Sequence, residues 1–235
     1  VTTGSLVSQG GTGVFAAALR EALLTGDVDI AVHSFKDLPT APVPGLLVAA
    51  VPPRQDWHDV LCARDKATLR GLPAGARVGT GSPRRAAQLR ALRPDLTLVE
   101  IRGNVGTRLA RATGPDADLD AVVLAAAGLA RLDLTEAITD VLDDLLPAPA
   151  QGALAVECRA DAAALIDALS ELDDPDTRFA ATAERAVLAR LGAGCAAPVA
   201  ALCQRRGGRV ALTAKVLSAD GRRVVGRTLE ATPSD

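Results

Sequence analysis

The sequence predicts an α/β protein that ends in a small α+β unit, and three observations carry that expectation. Short apolar runs alternate with segments of helical spacing from residue 14 to residue 172. Proline-bearing connectors interrupt the alternation at Pro52-Pro53, at Leu146-Pro147-Ala148-Pro149-Ala150 and at Asp173-Asp174-Pro175. From Val199 onward the pattern changes to three alternating runs separated by Gly207-Gly208 and Asp220-Gly221, both hairpin signals. Strands that alternate with helices imply a mainly parallel sheet with helices on both faces. The tail implies a three-stranded antiparallel sheet with one helix.

Taken in order, Phe15, Ala18, Leu19, Ala22 and Leu23 follow 3–4 spacing, so 14–24 is read as a helix capped by Gly26. Val28–Ser34 reads as a buried strand, stopped by Pro39, and Leu46–Val51 as another. Arg77–Gly79 is a short strand. Ser82 then caps a helix with Pro83 at its first position, burying Ala86, Leu89 and Leu92 and stopped by Pro94. Leu96–Ile101 is a strand, Asn104–Ala112 a helix, Ala121–Leu124 a buried strand and Ala127–Leu132 the start of a helix. Leu154–Glu157 is a strand and Asp161–Leu172 a helix. Asp176 is expected to cap a last helix that buries Phe179, Ala183, Val187 and Leu191 and closes at Gly192.

Composition narrows the function classes. The 235 residues carry 26 basic and 28 acidic side chains, a formal charge of −2, which lacks the basic excess of a nucleic-acid binder. Aromatic residues are 2%, only Phe15, Phe35, Trp57 and Phe179, so base-stacking platforms are not expected. The cores must come from Ala, Val and Leu. No apolar run approaches the roughly 18 residues of a membrane span, and Val1–Gly10 does not read as a secretory signal. Cys62, Cys158, Cys195 and Cys203 lie far apart and form no C-x-x-C pair, so reduced thiols in the cytoplasm are expected and a zinc site is not.

Three segments could carry chemistry. In Gly79-Thr80-Gly81-Ser82-Pro83-Arg84-Arg85, two arginines stand in the first turn of a helix, the wrong sign for its dipole. An anion held by the N–H groups, the Ser82 hydroxyl and the guanidinium forks would account for them. Pairing with local Asp or Glu is the alternative. The device recurs at Arg102-Gly103-Asn104, with Thr107-Arg108 near the start of the next helix. In His33-Ser34-Phe35-Lys36-Asp37, acid and base groups end a strand, either for acid–base work or as an ordinary polar loop. In Gly192-Ala193-Gly194-Cys195, a cysteine follows a helix on a glycine-rich turn, as an exposed nucleophile or as a small apolar filler.

Six blocks occur in order: HSFKDLPT (33–40), VGTGSPRRAAQL (78–89), IRGNVGTRL (101–109), LAAAGLARL (124–132), LPAPAQGALAVECR (146–159) and AERAVLARLGAGC (183–195). Together they resemble the porphobilinogen deaminase family, also called hydroxymethylbilane synthase, over nearly the whole chain. The resemblance implies two doubly wound α/β domains like those of type 2 periplasmic binding proteins, facing across a cleft, and a third α+β domain. By residue they would be 1–52 with 150–172, then 56–146, then 175–235. It implies a cytoplasmic, monomeric transferase of tetrapyrrole (haem) biosynthesis, with no metal and no nucleic-acid or membrane partner. Four porphobilinogen molecules would be condensed with loss of ammonia on a dipyrromethane cofactor, and hydroxymethylbilane released by hydrolysis. The resemblance places the cofactor thioether on Cys195 and the catalytic carboxylate on Asp37. Anion-binding residues would be Lys36, Ser82, Arg84, Arg85, Arg102, Arg108 and Arg131, with Ser34, Thr80, Gly103 and Asn104 beside them and Gln151 at the hinge. The chemistry agrees, since each pyrrole unit carries an acetate and a propionate, and the growing chain is a polyanion.

Departures from the family pattern are expected to matter. The opening strand with its Thr-Arg-x-Ser motif and the helix after it are absent, Gly10-Gly11-Thr12-Gly13 has Thr12 where the family has lysine, and the chain stops at Asp235, short of a closing helix. The expectation is a fragment or a mis-assigned start. The competing readings are a two-lobed anion receptor, which would have no use for Cys195, and an inactive relative.

Overall fold

The computed structural model describes residues 12–194 and 197–232, apart from the side chains of 12–15 and 206. Three sheets organise them. The helix α1 (Thr12–Thr25) precedes β1 (Ile30–Ser34), a 3-10 turn (Phe35–Asp37) and β2 (Leu46–Ala50). Then come β3 (Asp59–Ala63), β4 (Arg77–Gly79), α2 (Pro83–Leu92), β5 (Thr97–Val99), α3 (Val105–Thr113), β6 (Ala121–Ala125), α4 (Ala126–Ala130) and β7 (Asp140–Val141). The chain returns as β8 (Leu154–Arg159) and α5 (Ala163–Ser170), and ends in α6 (Pro175–Arg190), β9 (Val199–Arg206), β10 (Arg209–Leu217) and β11 (Val224–Ala231).

The fold is α/β, but the sheets are less parallel than the alternation predicts. The first has the order β1-β8-β2, and both pairings are antiparallel. The second has the order β5-β4-β6-β3-β7, parallel at β4–β5 and β4–β6 and antiparallel at β3–β6 and β3–β7. The reason lies in the crossings. β3 and β8 each enter a sheet directly from a connector, without the helical crossover that a parallel neighbour needs. The third sheet, β11-β10-β9, is wholly antiparallel, as the hairpin signals require.

The five-stranded sheet is buried on both faces. Leu61 and Ala63 of β3 and Ala121 and Val123 of β6 pack with Leu89 of α2 on one side. Val60, Cys62, Val122 and Leu124 pack with Leu109 of α3 and Leu129 of α4 on the other. Such two-sided burial explains why these strands read as continuous apolar runs. The first sheet is covered by α5 over Val156 and Cys158 and, on its other face, by Ala16 of α1 and Ala181 of α6. β1 is buried on one face only: Ala31 and His33 point inward, while Ile30 and Val32 are exposed, so the fully buried strand read there is corrected.

The caps of α2 and α3 and the proline that opens α2 fall where the sequence puts them. Ser82 and Asn104 accept from the backbone N–H of Arg85 and Thr107, and Pro83 opens α2. At α6 the cap is Asp174, accepting from Thr177, because Pro175 takes the first helical position; Asp176 is already inside the helix. The buried faces of three helices differ from their apolar spacing. Leu19 and Ala18 of α1 and Leu92 of α2 are exposed, and the buried residues of α2 include Arg84, Arg85 and Gln88. α6 buries Thr177, Ala181, Glu184 and Leu188 and leaves Phe179 and Leu191 half exposed. In each of α2 and α6 the deciding contacts are polar and long-range.

Glu184, fully buried, is the clearest case. Arg54 donates to both of its oxygens at 2.7 and 3.0 Å, and the backbone N–H groups of Ala150 and Cys203 donate at 2.6 and 2.8 Å. One carboxylate thereby joins α6, the third sheet and both connectors between the first two sheets. Those connectors also touch directly. Gly152 sits at φ +87°, and a Cβ there would lie 2.5 Å from the Gln55 carbonyl, so no larger residue fits. Ala150, with φ +62°, holds the same region in a conformation unusual for a non-glycine residue. The β10–β11 turn at Gly221 rests on α2, where Arg90 donates to Ala219 O at 2.7 Å.

Glu184→Ala would leave the Arg54 guanidinium and two backbone donors without their acceptor. A loss of about 3–5 kcal/mol is expected, measured by denaturant unfolding.

Candidate functional site

At the end of β1 the chain turns through Phe35–Asp37. Phe35 is buried and its N–H donates to Ala153 O at 3.0 Å, which sets the turn against the first sheet. The next two residues, Lys36 and Asp37, face a cavity of about 270 Å³. Its opposite wall is the N-terminal turn of α2 with Gly81, Ser82, Arg84 and Arg85. Arg108 of α3, the connector residues Ala148, Pro149 and Gln151, and Leu188, Gly194, Ala197 and Val199 complete it. Gly81 has a steric reason: a Cβ there would lie 2.4 Å from the Ile101 carbonyl.

A carboxylate lies behind this wall. Asp59, at the start of β3, is 0% exposed. Its Oδ1 accepts from Arg85 Nε and Gln151 Nε2, both at 2.8 Å, and its Oδ2 stands 2.7 Å from Arg84 Nη1. Arg84 Nη1 also donates to Leu146 O at 2.6 Å, and Arg85 Nη1 to Val123 O at 2.9 Å. Gln151 bridges the two sheets. Its Nε2 also donates to Trp57 O at 2.8 Å, while its Oε1 accepts from Lys36 Nζ at 3.2 Å. Gln88 exchanges two hydrogen bonds of 2.9 Å with the backbone of Leu146 and so pins the connector to α2.

Burial alone would push the Asp59 carboxyl up, but the Arg84 and Arg85 guanidiniums outweigh it and hold it well below the usual carboxylate range. Lys36 is pulled down to about 8, first by burial and then by Arg85, with Asp37 and Asp59 opposing and Arg84 adding to the fall. Arg108 is lowered by burial and by Arg85, and Arg84 by burial, which the Asp59 charge counters. The Nε atoms of Arg84 and Arg108 are buried with no hydrogen-bond partner. Buried donors of that kind are costly unless something accepts from them.

Of the residues singled out in the sequence, Lys36, Asp37, Ser82, Arg84, Arg85, Arg108 and Gln151 come together around this cavity. Of the two explanations for the arginine pair, pairing with an acid is what is observed, and the acid, Asp59, is distant in sequence and not local; both arginines also line the cavity. Thr80 is buried behind Ser82, whose N–H donates to its Oγ1 at 3.2 Å. Ser34 precedes the turn, and Gly103, at φ +108°, leads into the Asn104 cap. Arg102 is 87% exposed and pairs with Glu100; Arg131, also exposed, reaches Gly152 O at 3.4 Å. Both stand outside the cavity lining. His33 points under the sheet, 3.3 Å from Glu157, and not toward Lys36 and Asp37. Cys195 and the Gly10-Gly11 pair lie outside the described residues, as do the side chain of Thr12 and the C-terminus at Asp235. Sequence reasoning missed Asp59, Arg54, Gln88 and Glu184. An acid opening the apolar run Asp59–Ala63 was the available signal for the first.

A cavity walled by four cations and one carboxylate, with two buried guanidinium Nε donors that have no acceptor, has the charge and donor set that suit a small ligand bearing several carboxylates. Comparison with known proteins gives the family. Residues 1–167 match the dipyromethane cofactor binding domain of porphobilinogen deaminase, and 178–234 match its C-terminal domain. A porphobilinogen deaminase from Micrococcus luteus is 54% identical, aligned over 100% of this chain and 73% of its own length. One from Cutibacterium acnes is 62% identical over 86% of this chain and 65% of its own. One from Nocardia farcinica is 60% identical over 83% of this chain and 56% of its own. Among solved structures, a YaeC-family lipoprotein from Enterococcus faecalis V583 aligns at a TM-score of 0.42 and 18% identity, covering 72% of this chain and 81% of that one. The chain belongs to the porphobilinogen deaminase family.

The charge arrangement makes a direct prediction. Lys36 is one of three lysines, with Lys66 and Lys215, so amine-specific labelling followed by peptide mass analysis can follow it alone. Its labelling midpoint is expected near pH 8. In Asp59→Asn, which removes a charge that favours the ammonium, the midpoint should move lower. An ordinary lysine midpoint in both proteins would contradict the arrangement.

Proposed function

We propose that this chain is a hydroxymethylbilane synthase, a transferase of tetrapyrrole biosynthesis that condenses four porphobilinogen molecules head to tail, loses ammonia at each step and releases linear hydroxymethylbilane by hydrolysis. The observation that carries this reading is the convergence of Lys36, Arg84, Arg85 and Arg108 with Asp37 on one cavity, where two guanidinium Nε atoms are buried without acceptors. Pyrrole acetates and propionates are acceptors of the right charge and size. The donor set therefore fits a dipyrromethane cofactor. Bound as a thioether on Cys195, that group would supply the pyrrole carbon on which the product is built and keep it tethered. Gly194 and Ala197, on either side of 195–196 in sequence, line the same cavity.

In this reading Ser82, Arg84, Arg85, Lys36 and Arg108 bind carboxylates and orient the rings. Asp37 faces the reacting methylene and stabilises the positive charge that develops there as ammonia leaves. Gln151 holds Lys36 against the connector and so sets the spacing between the walls. Arg102 and Arg131, outside the cavity, meet carboxylates of the lengthening product, and Ser34, Thr80, Gly103 and Asn104 shape the backbone around it. The three sheets support a division into 1–52 with 150–172, 56–146 and 175–235. The protein works as a cytoplasmic monomer. Among the described residues, no helix is long and apolar enough to cross a membrane.

Intact mass of the purified chain tests the assignment. The wild type is expected to exceed the chain mass by two pyrrole units, Cys195→Ser should remove the excess, and only the loaded protein should consume porphobilinogen. An unmodified chain that fails to turn over porphobilinogen even after incubation with preformed product would overturn it and leave the anion receptor or the inactive relative.

A further inference from the structure

The 3-10 turn that presents Lys36 and Asp37 has no side-chain cap of its own, since the Ser34 hydroxyl makes no capping bond. Besides the Phe35 N–H bond to Ala153 O and the Lys36 bond to Gln151, the turn is held by a side chain of α6. Arg185 Nη1 donates to Phe35 O at 2.8 Å and to Leu38 O at 2.7 Å, and Nη2 donates to Pro39 O at 2.9 Å. The guanidinium carbon stands 4.4 Å from the centroid of the Phe35 ring, a cation–π contact. The three carbonyls bracket Lys36 and Asp37 on both sides, so one planar fork restrains the turn at both of its ends. The fork is itself anchored, because the preceding residue, Glu184, is locked by Arg54, Ala150 and Cys203. Arg185 lines a neighbouring groove with Pro39 and Thr182, outside the cavity that holds Asp37.

The geometry points to Arg185 as the positioning residue for the Asp37 carboxylate, acting through the backbone of the turn. The inference rests on the function proposed above for its catalytic meaning, though the clamp itself needs only the contacts just described. Arg185 thereby ties the turn that carries Asp37 to α6, the helix whose Glu184 is locked to both connectors and the third sheet. Lysine cannot replace it, because an ammonium is a point donor and cannot span three carbonyls while stacking on the ring.

Arg185→Ala and Arg185→Lys would be compared with wild type in the full chain, with loading checked by mass. The expected result for Arg185→Ala is a fall in kcat of about 10-fold to about 100-fold per loaded molecule, with KM changed much less. Amide exchange should quicken at Lys36, Asp37 and Leu38 and stay unchanged around Arg54 and Glu184. Added guanidinium should restore part of the lost kcat, and Arg185→Lys should restore stability without restoring kcat. Wild-type kcat in Arg185→Ala would overturn the inference, as would a kcat loss that tracks faster exchange along the whole of α6 with no rescue by guanidinium. If the wild type itself shows no turnover, the proposed function fails. The exchange comparison then decides the clamp alone: quickening confined to the turn supports it, and unchanged exchange refutes it.

Discussion

The structure depends on keeping guanidinium groups out of water without neutralising them all. Burying a cation is costly unless a counter-charge and hydrogen bonds accompany it into the interior. Asp59 supplies that compensation from the strand side, where it meets Arg84, Arg85 and Gln151. It is one carboxylate against two arginines. With Lys36 and Arg108 also present, and Asp37 opposing, the cavity stays net cationic. A single internal acid makes burial tolerable and leaves a surplus of positive charge facing the cavity. The overall charge of −2 is no obstacle, because the field that matters is confined to a low-dielectric recess.

The same logic governs how the sheets are joined. The two connectors between the first and second sheets bury Val51, Ala150 and Ala153, and polar side chains fix their backbones as well. Glu184, Gln151 and Gln88 do so by binding backbone groups of Ala150, Trp57 and Leu146. Gln151 is the most informative of these. Its two donors are committed to Trp57 O and Asp59, which fixes the amide's orientation and leaves its oxygen turned to Lys36. The connector and the cavity wall therefore share a residue.

Much of this was legible in the sequence, for reasons that can be named. Ser82-Pro83 and Asn104 announced helix starts because capping is a local interaction. The hairpins at Gly207-Gly208 and Asp220-Gly221 were likewise local. The convergence of Asp37, Arg84, Arg85, Arg108 and Gln151 followed from the family resemblance and from the wrong-sign arginines at a helix start. Buried faces were not legible. In a chain whose cores are built from Ala, Val and Leu, several helical stripes are equally apolar. The choice at α6 was made by Glu184 and at α2 by Arg84, Arg85 and Gln88, whose partners lie far away in sequence. Strand direction failed for a related reason, since local spacing does not say whether a connector or a crossover helix delivers a strand.

The chain has one tryptophan and no tyrosine, and that tryptophan stands at the joint. Trp57 stacks on His58 with ring centroids 3.6 Å apart, and its carbonyl is held by Gln151. A lone intrinsic fluorophore thus stands on the connector that Gln151 holds, and its emission reports on that contact without any attached dye.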